Sequence, residues 1–266
     1  MGELVFVGLG LGGERGVSLQ GLDAVGEADM VFAEFYTSFS PTTFEKRLET
    51  LVRREITVLK REALEEKAEE ALLKHALDKR VVLLVPGDPM IATTHVQLRV
   101  RAFKLGIETR VIHGSSIVSA AMGACGLQNY RFGESVTVPY LEKGFVPETL
   151  YNVVMKNLRR GLHTLMFLDV RADEGRSLTI VDALKVLLAV EARRREGVFS
   201  ADRLMVGLAR VGMSDAYVKA DRLEALIKID FGAPPHTLIA PGKLHFMEAE
   251  ALRCFAQAPA EVLGRE

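Results

Sequence analysis

Asp88 is the acidic residue whose neighbours say most about chemistry. It stands in Pro86-Gly87-Asp88-Pro89, directly after the apolar run Val81-Val82-Leu83-Leu84-Val85. An apolar run that meets two prolines and a glycine reads as a buried strand ending in a tight turn. Proline fixes φ and lacks a donor, and glycine tolerates positive φ. Ligands of open α/β sheets bind outside the carboxyl ends of the strands. Such a turn is expected to present carbonyl oxygens and one carboxylate, which suits a cation or a hydroxylated ligand better than a phosphate. His113-Gly114-Ser115-Ser116 follows the next strand-like run and is expected at the same edge. Ser116 can cap the helix it opens or bond a ligand carboxylate, and His113 reads first as structural. Phe32-Ala33-Glu34-Phe35-Tyr36-Thr37-Ser38 ends an earlier run with an acid, two aromatics and two hydroxyls. It is either a core aromatic beside a solvated loop or a substrate wall. Pro234-Pro235-His236 precedes Thr237-Leu238-Ile239-Ala240 and reads as the start of an edge strand.

A second chemistry must be weighed at the glycine loop. Gly8-Leu9-Gly10-Leu11-Gly12-Gly13 matches G-x-G-x-x-G after a strand, and Glu34 ends the second strand, where a dinucleotide site carries its ribose-binding acid. The spacing argues against an oxidoreductase of that kind. Glu14, Arg15, Gly16 and Val17 separate the last glycine from Ser18, the expected N-cap. The helix N-terminus then lies too far away to hold a pyrophosphate. The glycines are expected to serve close approach of backbone, to a ligand rather than to a neighbouring loop. No Ser–His–Asp order, nucleophile elbow, Walker loop or zinc spacing is present.

The elements that must position these residues alternate. Strands are expected at Leu4–Gly8, Met30–Glu34, Ile56–Leu59, Val81–Val85 and Glu108–Ile112. Helices are expected at Ser18–Ala28, from the capping box Thr42-Thr43-Phe44-Glu45 to Arg53, at Glu62–Asp78, at Thr93–Lys104 and from Ser116. This βαβα rhythm predicts a parallel sheet covered on both faces. Residues 127–133 read as a linker between an N-terminal α/β domain, 1–126, and a C-terminal α/β domain, 134–266. In the second half, strands are expected at Ser135–Pro139, Thr164–Val170, Arg203–Val211, Ala216–Ala220 and His236–Ala240. Helices are expected at Glu148–Arg159, Ser177–Arg195 and Leu244–Ala256. A ligand cleft between two such domains is the architecture this order favours.

Composition narrows the function classes. The chain has 266 residues, 48% of them hydrophobic, and a formal net charge of −1. That charge leaves no electrostatic footprint for nucleic acid as a main partner. Two cysteines, Cys125 and Cys254, form no disulfide framework, so a cytoplasmic setting is expected. The run Val5–Leu11 is too short to cross a membrane and lacks the flanks of a secretory signal.

Taken together, these segments resemble the tetrapyrrole methylase superfamily of S-adenosylmethionine (SAM)-dependent methyltransferases. The matching stretches include Val7–Leu11, Phe32–Ser38, Pro86–Pro89 with Ala92-Thr93-Thr94-His95, Val111-Ile112-His113, Gly161–Thr164, Phe167-Leu168-Asp169, Leu208-Ala209-Arg210, Pro234–His236 and Pro241–His245. The resemblance implies a two-domain homodimer that binds SAM through Leu11, Asp88, Ile91, Ser116, Ile117, Leu168, Val211 and His236, without a metal. Within the superfamily it points to the branch that methylates the amino group of a 3-amino-3-carboxypropyl-histidine on translation elongation factor 2. Glu34 and Tyr36 are candidates for orienting that amine. A corrinoid or sirohaem-pathway C-methyltransferase and a non-catalytic SAM-sensing module are the alternatives. Gly12-Gly13, where relatives often carry an aromatic and Asp, and Val211, at a commonly small position, depart from the pattern.

Overall fold

Alternate residues of the first strands enter two different cores. Leu4, Phe6, Val81, Leu83 and Val85 pack in one, and Val5, Val7, Val82 and Leu84 in the other. Successive side chains of a strand point to opposite faces, so a sheet covered on both sides needs runs that are apolar at every position. The structure, a computed structural model, describes residues 2–37, 44–141, 147–171 and 174–263. Its first sheet holds β1 (Glu3–Gly8), β2 (Met30–Ala33), β3 (Thr57–Val58), β4 (Arg80–Val85) and β5 (Glu108–Ile112) in the order β3-β2-β4-β1-β5. Every pair is parallel. The chain leaves β1 toward β2 and leaves β4 toward β5, in opposite directions from adjacent strands. Their carboxyl ends therefore form the switch point of the sheet.

Helix starts follow their caps. α1 (Leu19–Gly26) begins behind Ser18, whose Oγ accepts the Gly21 N–H at 3.1 Å. The helix α2 (Phe44–Val52) is present, while Thr42 and Thr43 of its expected capping box lie outside the described residues, as does Ser38. The helix expected over Glu62–Asp78 is broken into α3 (Arg61–Glu65), a π-type turn at Glu69–Leu73 and a 3₁₀ turn at His75–Leu77. Lys74 N bonds Glu69 O at 2.9 Å, a spacing of five residues. The wider turn suits the adjacent Leu72 and Leu73, both fully buried, which a regular helix would point about 100° apart. The helices α4 (His95–Lys104) and α5 (Ile117–Cys125) follow β4 and β5.

The second sheet is mixed. It is built from β6 (Val136–Val138), β7 (Thr164–Leu168), β10 (Leu204–Ala209), β11 (Tyr217–Arg222) and β12 (His236–Ala240), in the order β11-β10-β12-β7-β6. Only β6–β7 is parallel. Two-residue strands β8 (Val170–Arg171) and β9 (Arg176–Ser177) lie between β7 and α7 (Ile180–Arg194) in the chain, and α6 (Glu148–Arg159), α8 (Leu223–Leu226) and α9 (Phe246–Ala256) complete the helices named. The cap of α7 is Thr179, which accepts Asp182 N–H at 3.1 Å, so the helix starts later than expected. β12 is the central strand, not the edge strand expected from Pro234-Pro235. Both prolines stop short of the ladder and remove no donor from it.

The chain divides into one compact unit of Met1–Ile117 with Arg171–Gly175 and another of Val118–Val170 with Arg176–Glu266. Residues 127–133 are not a free connector. Gln128 N donates to Glu248 Oε1 at 3.0 Å, and Gly133 N to His163 O at 2.9 Å, both inside the second unit.

Candidate functional site

In the first unit, the loops after β1, β4 and β5 meet through glycine backbone. Gly10 N donates to Gly87 O at 3.0 Å and Gly87 N to Gly10 O at 3.1 Å. A Cβ on Gly8 would lie 2.5 Å from Gly114 N and 2.7 Å from Gly87 O. One on Gly114 would lie 2.8 Å from Gly10 N. The close approach expected for a ligand is here an approach of neighbouring backbone. Gly87 differs. Its φ is +66°, and the nearest atom to an added Cβ is Ser115 O at 3.9 Å, so that face of the turn is open. Beyond Gly12, residues Gly13–Gly16 form a single 3₁₀ turn, and α1 begins only after Ser18. The last glycine of G-x-G-x-x-G thus lies outside the helix, and a pyrophosphate has no helix N-terminus to sit on. Leu11 is partly buried in this loop.

Asp88 is buried at the end of β4. Its Oδ1 accepts Met90 N–H at 2.9 Å, and Oδ2 lies 2.7 Å from His113 Nδ1. The turn does not present its carbonyls as expected. The oxygens of Gly87, Asp88 and Pro89 accept from Gly10 N, Ile91 N and Thr93 Oγ1. Pro86–Pro89 is therefore braced from within, with an open face at Gly87. Ile91 is exposed beside it, and Ser116 and Ile117 sit partly buried at the start of α5.

Glu34 follows β2 at the same edge and is fully buried. Oε2 accepts Tyr36 N at 3.0 Å and Thr37 N at 3.1 Å. Oε1 accepts Thr37 Oγ1 at 2.5 Å and faces His95 Nε2 at 3.2 Å. The carboxylate is thus occupied by its own turn and by α4. Tyr36 is also buried, beneath the Arg61 guanidinium at 5.3 Å, and its hydroxyl completes no hydrogen bond among the described residues, though the Thr94 side chain faces it. Burial, then the carboxylates of Glu34 and Glu65, push this phenol well above its ordinary pKa. Glu65 also lines a small cavity with Thr94, His95 and Arg101.

In the second unit, the remaining expected residues share one edge of the mixed sheet. His236 pairs with Ala209, and Thr237 with Phe167. That register brings His236 together with Leu168, the end of β7, and with Val211, just past β10. His236 Nδ1 accepts Ile180 N–H at 3.2 Å, from the first residue of α7. The proton therefore resides on Nε2, which is buried and completes no hydrogen bond among the described residues, although the Phe231 and Ala233 carbonyls face the ring and favour its protonated form. Burial, then the Arg210 charge, hold this imidazole below its ordinary pKa and keep it neutral.

Two carboxylate–imidazole pairs arise only in the fold, with His95 and His163 quoted from sequence only as motif letters. His95 locks Glu34, and His163 locks Glu248, at 3.0 Å between Nε2 and Oε1. Nothing in local pattern joins residues 61 or 85 positions apart. Among the described residues, no group of three or more His, Cys, Asp or Glu could hold a metal ion. Nor is any helix among them long and apolar enough to cross a membrane.

Known proteins share this arrangement. The family described as Tetrapyrrole (Corrin/Porphyrin) Methylases matches residues 3–227. A diphthine synthase of Methanosarcina mazei is 49% identical, covering 98% of this chain and 98% of its own. One from Methanocella arvoryzae is 47% identical, covering 95% of this chain and 98% of its own. A crystal structure of diphthine synthase superposes with a TM-score of 0.89 at 44% identity, over 98% of both chains. This chain belongs to the tetrapyrrole (corrin/porphyrin) methylase family, on its diphthine synthase branch, and is a SAM-dependent methyltransferase.

Proposed function

We propose that this chain methylates the amino group of the 3-amino-3-carboxypropyl-histidine of translation elongation factor 2, giving diphthine, as a cytoplasmic homodimer. The names of relatives nearly half identical along nearly the whole chain support the substrate. The observation that carries the cofactor part is His236. A buried donor without a partner costs about 1–3 kcal/mol, and an acceptor on a ligand relieves that cost. SAM offers carboxylate, hydroxyl and adenine acceptors of this kind, and when bound it supplies an electrophilic methyl on a sulfonium.

The residues proposed to hold it are Leu11, Asp88, Ile91, Ser116 and Ile117 of the first unit and Leu168, Val211 and His236 of the second. Each oxygen of the Asp88 carboxylate keeps a lone pair beyond the one facing Met90 N or His113. Ile91 and Leu168 supply apolar surface. Tyr36 offers a hydroxyl that stays protonated at neutral pH and completes no hydrogen bond with the Thr94 side chain that faces it, so it can orient an amine. Glu34 acts through the Tyr36-Thr37 turn as a positioning residue. Displacement by a neutral amine needs alignment and partial desolvation, and solvent can take the proton before attack.

Mass spectrometry of precursor elongation factor 2 incubated with this chain and SAM tests the reading. Methyl increments on the modified histidine are expected. Transfer to a porphyrinogen or corrinoid instead would assign the C-methyltransferase alternative, and binding of SAM with no transfer would assign a sensor. Asp88→Ala should weaken SAM binding about tenfold in calorimetry, the loss expected for one hydrogen bond to a charged group. Unchanged affinity removes Asp88 from the cofactor site.

A further inference from the structure

Among the described residues, five that are not glycine have positive φ: Arg53, Ala92, Arg195, Arg210 and Gln257. Arg53, Arg195 and Gln257 directly follow α2, α7 and α9, where a left-handed residue commonly ends a helix. Ala92 and Arg210 end no helix. They lie in the loops after β4 and β10, one at each sheet edge described above. A long side chain at φ 50° is an unfavourable conformation, and it persists only where its surroundings over-determine it.

The surroundings of Arg210 do so. Its backbone N donates to Pro235 O at 2.8 Å, and its O accepts Met213 N at 2.9 Å. Nε donates to Asp215 Oδ2 at 2.7 Å and Nη2 to Asp215 O at 3.1 Å. Nη1 donates to Phe231 O at 2.7 Å and to Ala233 O at 2.5 Å. The planar fork thus spans two loops, 210–215 and 231–235, in a way a lysine cannot reproduce. Gly232 leaves the space it occupies, since a Cβ there would lie 3.2 Å from Nη1. The two loops carry Val211 and lead into His236.

We infer that Arg210 is the positioning residue of the cofactor site in the second unit, a clamp that fixes the 231–235 loop and so aims the Nε2–H of His236 at the ligand. The inference rests on the proposed SAM site. Arg210 holds the Phe231 and Ala233 carbonyls, which also face the His236 imidazole, so that neither completes a hydrogen bond to Nε2. Arg210 and Asp230 are the charged groups that act on this imidazole, and Asp215 pairs with Arg210.

The test compares S-adenosylhomocysteine binding by calorimetry, His236 titration by NMR, and thermal unfolding in the full chain. Arg210→Met should weaken binding about tenfold, in line with the loss of charge-assisted hydrogen bonds. It should also raise the His236 pKa toward its ordinary value. Arg210→Lys keeps the charge and loses the fork. It should retain the depressed His236 titration and still lose affinity. Arg210→Gly removes the φ cost and should bind as poorly as Arg210→Met. Wild-type affinity in Arg210→Gly, or in a folded Arg210→Lys, overturns the clamp. If Arg210→Met fails to fold, the Lys variant decides alone. Failure of the wild-type chain to bind the probe would instead sink the proposed cofactor site.

Discussion

Each unit has a carboxylate–imidazole pair in which both partners are buried, Glu34–His95 in the first and Glu248–His163 in the second, and the two are used differently. Glu248 in the second unit is fully buried at the first turn of α9. It gathers His163, Gln128 N, His245 N at 2.8 Å and, as an ion pair at 3.2 Å, Arg131 Nε. His163 Nδ1 accepts from Gly242 N at 2.9 Å. Segments 128–131, 161–163 and 242–248 are thereby tied to one carboxylate far from the edge that carries His236. Glu34 in the first unit gathers only its own turn and His95, and it leaves the neighbouring Tyr36 hydroxyl unpaired at the edge that carries Asp88. The same pairing stabilises a cap in one place and shapes a candidate substrate wall in the other. What separates the two is what the carboxylate gathers: three distant segments in one, its own turn and one helix in the other.

Removing charge from the pair that ties distant segments should have the largest effect. Glu248→Gln leaves Arg131 without its counter-charge and replaces an acceptor by a donor facing N–H groups. Breaking a buried pair in this way costs about 3 kcal/mol or more. In a chain of this size that lowers the melting temperature by about 6–12 °C. Calorimetric melting checks it, and SAM affinity measured well below the transition should stay within about twofold. A loss of affinity without a loss of stability would make Glu248 a site residue and erase the contrast.

Glu34→Gln should cost less stability, about 1–3 kcal/mol, because the turn it organises ends a strand and can rearrange locally. Its effect on methyl transfer should exceed its effect on SAM binding, since it acts through Tyr36 and Thr37. Steady-state kinetics set against calorimetric affinity measure that split. An equal loss of both would place Glu34 at the cofactor instead.

Acid should separate the second unit's groups by order. Burial holds the His163 imidazole below its ordinary pKa, against the pull of Glu248. The folded state therefore binds fewer protons than the unfolded chain, and stability falls as pH drops below about 6.5. His75 and His236, also lowered by burial, add to the same window. For Glu248, burial alone would raise the pKa. Hydrogen bonds from His245 N and Gln128 N, with His163, outweigh it and hold the carboxyl below its ordinary value. Its contribution is complete above about 4.3–4.5 and is lost as pH falls further. Urea unfolding midpoints from pH 7.5 to 4 should decline in these two stages. His163→Gln should flatten the upper stage without abolishing it. An unchanged slope between pH 7 and 5.5 would mean that His163 does not titrate on unfolding as described.

The parallel sheet could be read from the chain because both of its faces are covered, which demands runs such as Val81–Val85. Ser18 could be read as a cap for the same local reason, and so could the separation of Gly13 from the helix that Ser18 opens. The glycines were visible as positions of close approach, but not what approaches them. A sequence does not say whether Gly8 faces a ligand or Gly114. The central place of β12 was hidden because the order of an antiparallel sheet leaves no mark on the strand itself. Linker-like composition at 127–133 misled for a similar reason, since Glu248 recruits that stretch from 120 positions away. Arg210 was visible only as a letter in Leu208-Ala209-Arg210. Its φ and its reach to Phe231 and Ala233 arise from tertiary packing alone.

Tyr36→Phe should have the smallest effect on stability and is the sharpest test of the contrast. The hydroxyl it removes is buried and completes no hydrogen bond, with the Thr94 side chain facing it, so the folded chain loses little and sheds a desolvation cost. Replacement should therefore be neutral or stabilising by up to about 1 kcal/mol. SAM affinity should be unchanged within about twofold, while turnover on elongation factor 2 should fall about tenfold if the hydroxyl orients the amine. Two outcomes are informative in opposite ways. A destabilised variant would show that the hydroxyl has a partner in solution and that the first unit's pair is as closed as the second's. A stable variant with full turnover would show that the unpaired hydroxyl does not touch the substrate, leaving Glu34 and His95 as a purely structural lock.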